Sequence, residues 1–549
     1  MIRMRMKNGR RVALTACLGV TTAAGLALTG QPAEAATLCV GTGPGCYTTI
    51  QAAVNAAHDG DRIAIGPGTY TGGITVDVSV QLAGAGPATR ISGGGPVVTI
   101  GSATATPTVT IADLTITGGV TTTNPQSPKC GPDVPACGPG YPSATALGGG
   151  VEAFPGTTVT ILHSVVTGNR AIPSKSVPSV KAVCPGNVPC PASFGDAAGI
   201  DDWGTMTLTG TVVSDNHGSA DQSNGGGIAV EANASLSLNA SAVTGNSASA
   251  VPPTGRFASG GGIYVDTGGT LDVNNSKIDG NTASIANTLL SPYPQQAGAT
   301  DNENAFTGGV YLADGSTATI SNSELDRNSV RVNTPLGQAF GADAALCACG
   351  NAPLTIQNSR IEGNSVSVHA LSSDANGPSG GAIEADANAA LTNVRIAGNS
   401  ITVNSPNQDA AAIGAVGLFF GGTVTPTITN TTITGNTATA NAPNGTATVQ
   451  GAGITNNGPL DLTNVAVTGN HGIANGENGS AQGAGIWNGV LFGGPASPLT
   501  LRNSKVTGNA LSGGPGLTLQ GGGIFTPGFP ATLTHSIVAH NTPDQCFGC

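Results

Sequence analysis

The chain is 549 residues long with 84 Gly, 9% charged and 3% aromatic residues, a composition that excludes both a helix-rich enzyme core and a disordered tail. Its formal charge of −11 excludes nucleic acid and anionic membrane surfaces as expected partners. A single compact core rarely grows past about 250 to 300 residues, whereas each repeat of a solenoid touches only its neighbours, so one long repetitive domain is expected.

Residues 1–35 carry the pattern of a secretory signal. Arg3, Arg5, Lys7, Arg10 and Arg11 charge the front, Val12 to Leu28 supply an apolar segment, and Ala33-Glu34-Ala35 offers a small-residue cleavage site. The mature chain is then expected to start near Ala36, with a formal charge of −15, and to be secreted or held at the cell surface. No later apolar run approaches the roughly 18 residues of a membrane span.

Ten of the eleven cysteines remain after the signal, as the close pairs Cys39/Cys46, Cys130/Cys137, Cys184/Cys190, Cys347/Cys349 and Cys546/Cys549. In an exported chain an even count points to disulfides. The Cys347/Cys349 pair is the least secure, because a single intervening residue strains the ring. No His or Cys spacing of the metal-site kind occurs, so neither metal nor cofactor is expected.

Residues 36–70 read as a cap and first coil. Thr48 and Gln51 are spaced as a capping box, Ile50, Ala53, Val54 and Ala57 share one helical face, and Gly60 is placed to end the helix. The run from Thr49 to Tyr70, with its T-I-Q-x-A-V, G-D-x-I-x-I and P-G-T-Y elements, resembles the start of right-handed parallel β-helix proteins of the pectin-lyase-like superfamily. That resemblance implies a helix capping one end of a solenoid. It implies no particular chemistry, because lyases, hydrolases, esterases, epimerases and surface proteins share the pattern.

Residues 71–549 repeat one unit, of which Gly260 to Ala283 is a clear copy. Each copy closes on an Asn: Asn169, Asn216, Asn246, Asn281, Asn328, Asn364, Asn399, Asn436, Asn470, Asn509 and Asn541. Three residues earlier stands Val, Ile or Leu, as an inward-pointing strand position favours. Six residues earlier a second Asn recurs, as in Asn275 and Asn322, and His163 and His535 occupy that same register. Stacked coils would align these amides into ladders, and the two histidines then read as turn residues rather than catalytic ones. Variable segments such as 171–196, 282–307 and 403–410 all follow a closing Asn, so a ridge of loops along one side is expected.

In each opening strand the residue after the inward Val or Ile is expected to face out. That position holds Glu152, Asp201, Ala229, Tyr264, Tyr311, Glu384, Thr455, Trp487 and Phe525. Trp203, Tyr264, Tyr311 and Trp487 are the glycan-stacking candidates, and Asp201, Asp202 and Glu152 the candidates for an acid and base set.

From Gly148 to Asn541 the GG-[AGV]-[IV] openings and apolar-x-x-Asn closings also resemble the repeats of polymorphic outer-membrane protein adhesins, with Gly380-Gly381-Ala382-Ile383 matching the first motif outright. Val, Ile or Leu stands where that family has Phe, and with eight residues after Asn541 no autotransporter barrel is expected. The expectation is an all-β, right-handed parallel β-helix of about thirteen coils. Its expected role is non-catalytic binding of a polysaccharide or cell-surface component, the alternative being a polysaccharide lyase or glycoside hydrolase working along the opening strands.

Overall fold

Each coil of Gly260 to Ala283 type makes three short strands in turn, illustrated by Ile263–Val265 (opening), Thr270–Asn274 (middle) and Lys277–Asp279 (closing). The computed structural model describes residues 35–122, 144–173, 193–251, 257–286, 302–334, 338–370, 375–377, 381–413, 417–420, 425–490 and 497–549, and the strand pair Val183–Cys184 and Val188–Pro189. Cys130, Cys137 and Cys190, and the Cys184 side chain, lie outside the described residues. Within them, opening and closing strands stack into 14-stranded sheets and middle strands into a 15-stranded sheet, with parallel pairing from coil to coil. The fold is thus the right-handed parallel β-helix expected, one or two coils longer because its irregular first turns also stack.

The alternation of apolar and polar residues decides what fills the centre. Ile263, Val265, Leu271, Val273 and Ile278 are all buried, and the equivalent apolar residues of most coils join them in one continuous core. A short helix, Ile50–Ala56, closes the first coil with Ile50, Ala53 and Val54 turned inward. Its N-cap is Thr49, whose side chain accepts the Ala52 N–H at 3.2 Å, one residue later than the Thr48 expected, and Ala57 rather than Gly60 ends it.

The closing Asn column is a buried amide ladder. Asn281 Nδ2 donates to Asn328 Oδ1 (3.0 Å) and to the Val243 carbonyl (2.9 Å), while its Oδ1 accepts from the backbone and side chain of Asn246 (3.0 Å each). The pattern repeats from Asn169 to Asn541. The second Asn register has a different cause. Asn275, Asn322, Asn358, Asn393, Asn430, Asn464 and Asn503 adopt φ of 50 to 56°, and His163 and His535 take 44° and 50° at the same turn. Asn is among the L residues that tolerate this left-handed conformation best. Some of these amides also pair between coils, as Asn393 does with Asn358 at 2.9 Å.

The expected ridge of loops is largely a fourth sheet. After most closing Asn residues the chain leaves along one strand and returns along another, as in Thr282–Ala286 and Asn302–Phe306, or along one long strand such as Thr437–Gln450, and these strands build a 20-stranded outer sheet. Segments between leaving and returning strands, such as 287–301, fall outside the described residues, as do a few stretches elsewhere, such as 421–424 and 491–496 between opening and middle strands. Small side chains alternate along the outer strands, and Ala283, Ile285, Val330, Val332, Ala339 and their neighbours form a second core separate from the first. Three disulfides are present among the described residues, Cys39–Cys46, Cys347–Cys349 and Cys546–Cys549.

Candidate functional site

Strand register brings the opening-strand residues into a single file as the alternation requires: Glu152 pairs with Asp201, Asp201 with Ala229, Ala229 with Tyr264, and Tyr264 with Tyr311. The file also takes in Cys347 and Phe419. It points away from the inner core, yet most of it does not reach solvent. Glu152 is 2% exposed, Asp201 0% and Trp487 3%. The expectation of an open face is therefore corrected: the returning outer strands lie against it, as Phe306 does at 6.3 Å from the Tyr311 ring.

Asp202 leaves the file altogether. It shares its register with Ala153 and Val230, both in the inner core, and is itself fully buried. Its Oδ1 accepts the Gly204 N–H at 3.0 Å. Burial, above all, raises its pKa to about 7; the Gly204 hydrogen bond opposes the rise and the nearby Glu231 adds to it. Asp201 Oδ2 accepts the Trp203 indole N–H at 2.9 Å. Glu152, Asp201 and Asp202 are thus interior groups. A general acid must come within hydrogen-bond reach of its substrate, and none of the three has the access for it.

The aromatic candidates separate into two kinds. Tyr264 and Tyr311 stack at 5.3 Å with 3° between ring planes, as their register implies, and both remain half-buried rather than covered. Burial foremost, and then the charges of Glu384, Asp343, Asp266 and Asp386, push the Tyr311 hydroxyl up to about 12. Trp487 stacks on Phe525 (6.2 Å, 13°), which stacks on Phe547 (5.2 Å, 9°), but its ring is buried and offers no platform. Trp203 is half-buried and tied to Asp201.

The closing sheet carries a feature the sequence pattern did not single out. On its outer face Lys277, Glu324, Arg360 and Arg395 form one file, and Asp279, Asp326 and Glu362 a second beside it. Glu324 bridges Lys277 (3.0 Å) and Arg360 (2.9 Å), Arg360 Nε also meets Asp326 Oδ2 (3.1 Å), Arg395 meets Glu362 (2.6 Å), and Arg327 pairs with Asp279. Asp326, Arg327, Arg360, Glu362 and Arg395 line an open depression of about 580 Å³. Burial raises the Asp326 pKa more than the Arg360 guanidinium lowers it. For Arg360, burial works against the charge, but Asp326, Glu324 and Glu362 outweigh it and hold the guanidinium protonated. The signal was available: apart from Arg327, these side chains stand four and two residues before the closing Asn, where other coils carry Thr, Ser, Ala or Val, with Lys505 and Ile537 as the exceptions.

A further group corrects the premise that no metal-ligand set converges. Asp343, Cys347, Cys349 and Glu384 each place one ligand atom within 4.8 Å of the others. Sequence spacing missed them because Glu384 comes from the next coil, opposite Cys347. No protein-family model matches the chain, and no curated protein is significantly similar to it in sequence.

Proposed function

We propose that the protein is an exported, non-catalytic β-helix surface protein that binds an extended polysaccharide along its closing sheet, within the broad pectin-lyase-like group that its Thr49 to Tyr70 segment resembles. The observation that carries this reading is the ladder of Arg327, Arg360 and Arg395 set among Asp326 and Glu362 around an open depression. Planar guanidinium and carboxylate groups in alternation offer paired donors and acceptors to vicinal hydroxyls. They recur at the coil spacing of about 4.8 Å, comparable with the repeat of a pyranose chain. Tyr264 and Tyr311 supply a second, smaller contact on another face, a stacked pair of the kind on which a sugar ring rests.

The lyase alternative needs an arginine that gives up its proton to act as base. Arg360 is held in the opposite direction by three carboxylates, and this favours binding without turnover. The test is a polysaccharide panel, neutral and uronic, read by affinity electrophoresis and calorimetry, with the R360A/R395A double variant beside the wild type. Binding that falls at least tenfold in the variant supports the reading. A panel with no binder, binding that the double variant leaves intact, or release of unsaturated or reducing-end products overturns it.

A further inference from the structure

The coil that runs through Asp343 to Cys349 places an acidic side chain at one corner. Where the chain passes from outer to opening strand, Gly148, Gly225, Gly260, Gly451, Gly483 and Gly521 all take positive φ, while Ala197, Thr307 and Asp343 take it without being glycine, at 54°, 58° and 56°, and of these three only Asp343 carries a charge-bearing group. A side chain at this corner is aimed at the residue four places on: Cβ atoms built on Gly148, Gly483 and Gly521 fall 2.7 or 2.8 Å from the Cβ atoms of Glu152, Trp487 and Phe525. In this coil that residue is Cys347. An L residue in the left-handed region is uncommon, with Asp among the better tolerated.

Asp343 is completely buried, and no donor other than the neighbouring Glu384 carboxyl, if protonated, stands by its carboxylate oxygens. The groups gathered there are the Glu384 carboxyl and the sulfurs of Cys347 and Cys349, all within 4.8 Å of one another, with Cys347 Sγ 3.9 Å from Glu384 Oε2. Two carboxyls facing each other away from water need a shared proton or a cation between them. The disulfide that joins Cys347 to Cys349 has no S–H to offer these carboxyls. Reduced, the same two sulfurs become two more ligands.

We propose that the dithiol form of this coil is a metal site in which Cys347, Cys349, Asp343 and Glu384 together hold one divalent cation of the zinc class. Thiolate ligands select zinc and its congeners over calcium or magnesium, and four protein ligands suit a closed, tetrahedral site. Because Glu384 belongs to the following coil, the ion links two coils, and it excludes the disulfide.

The experiment uses the whole protein, reduced by a water-soluble trialkylphosphine. The phosphine takes oxygen from one water to become its oxide, the disulfide leaves as two thiols, and metal binding releases the two thiol protons. Cobalt(II) is the probe. The expected result is one equivalent bound per chain, with thiolate-to-cobalt charge-transfer and tetrahedral d–d absorption that zinc abolishes. Alkylation followed by peptide mapping should find Cys347 and Cys349 protected by the metal, and C347S/C349S should lose the absorption. Asp343→Gly restores the glycine that six other coils carry, so it keeps the fold, and it should weaken cobalt binding at least tenfold. Absence of the charge-transfer band, its persistence in C347S/C349S, protection mapped to other cysteines, or unchanged affinity in D343G each overturns the proposal.

Discussion

Asp202→Asn isolates the energetic consequence of a carboxyl held inside the solenoid. Its ordinary pKa is 3.8 and its folded value about 7. At roughly 1.36 kcal/mol per tenfold, that gap corresponds to about 4 kcal/mol. The folded state binds the proton more tightly than the unfolded chain does. The stabilisation is therefore complete below about pH 4, falls as pH rises through the window up to about 7, and is gone above it. Asn cannot ionise, keeps an oxygen for the Gly204 N–H, and places an amide where Oδ2 has no hydrogen-bond partner. The variant is expected to match or trail the wild type at pH 4 to 5 and to exceed it by on the order of 4 kcal/mol at pH 8 to 9. Urea unfolding at a series of pH values measures this, and the difference between the two proteins cancels Asp343 and Asp386, whose raised pKa values act in both. A wild-type-minus-variant difference that stays flat from pH 4 to 9 would refute the burial argument.

Asn281→Ala removes two donated and two accepted hydrogen bonds from a fully buried ladder and should cost about 3 to 5 kcal/mol; hydrogen exchange should loosen first in the coils of Asn246 and Asn328, and uniform protection would contradict the ladder's role. His163→Asn places at φ 44° the residue that seven other turns carry and should change the thermal midpoint little or raise it. A drop of several degrees, or loss of ligand binding, would mean that the imidazole has a job of its own. Arg395→Ala should alter stability by no more than about 1 kcal/mol, since both it and its partner Glu362 are partly exposed, so a binding defect in R395A can be read as loss of contact rather than of fold. Tyr264→Ala should leave polysaccharide binding at the closing sheet within about twofold, because the Tyr264–Tyr311 pair stands on a different sheet; loss of all binding would move the principal site to that pair.

What was legible in the sequence was whatever recurs at fixed distance from the closing Asn. Ile278 and its counterparts sit in the core, Asn281 in the ladder and Asn275 in the left-handed turn because strand period and turn geometry act within a few residues, and identical local chemistry repeats coil after coil. The outer sheet was hidden by the unequal lengths between leaving and returning strands, although alternations such as Ser247-Ala248-Ser249-Ala250 show the period of a strand buried on one face. Such alternation states which residues share a side of a strand, but not what covers that side. That is why Tyr264 and Tyr311 stack as their register implies, whereas Glu152, Asp201 and Trp487 in the same file are buried.

The same distinction bears on the proposed binding surface. A solenoid with one core leaves the outer faces of all its sheets free, but the second core here takes the opening strands out of contact with solvent along most of their length. An extended ligand then needs a face with no outer layer and with polar groups that repeat at the coil spacing. Lys277, Glu324, Arg360 and Arg395 meet that condition on the closing sheet, in a chain where only 9% of residues are charged. Surface ion pairs contribute too little to folding to account for such a concentration. The contact with a repeating polar ligand proposed above would account for both their number and their alignment.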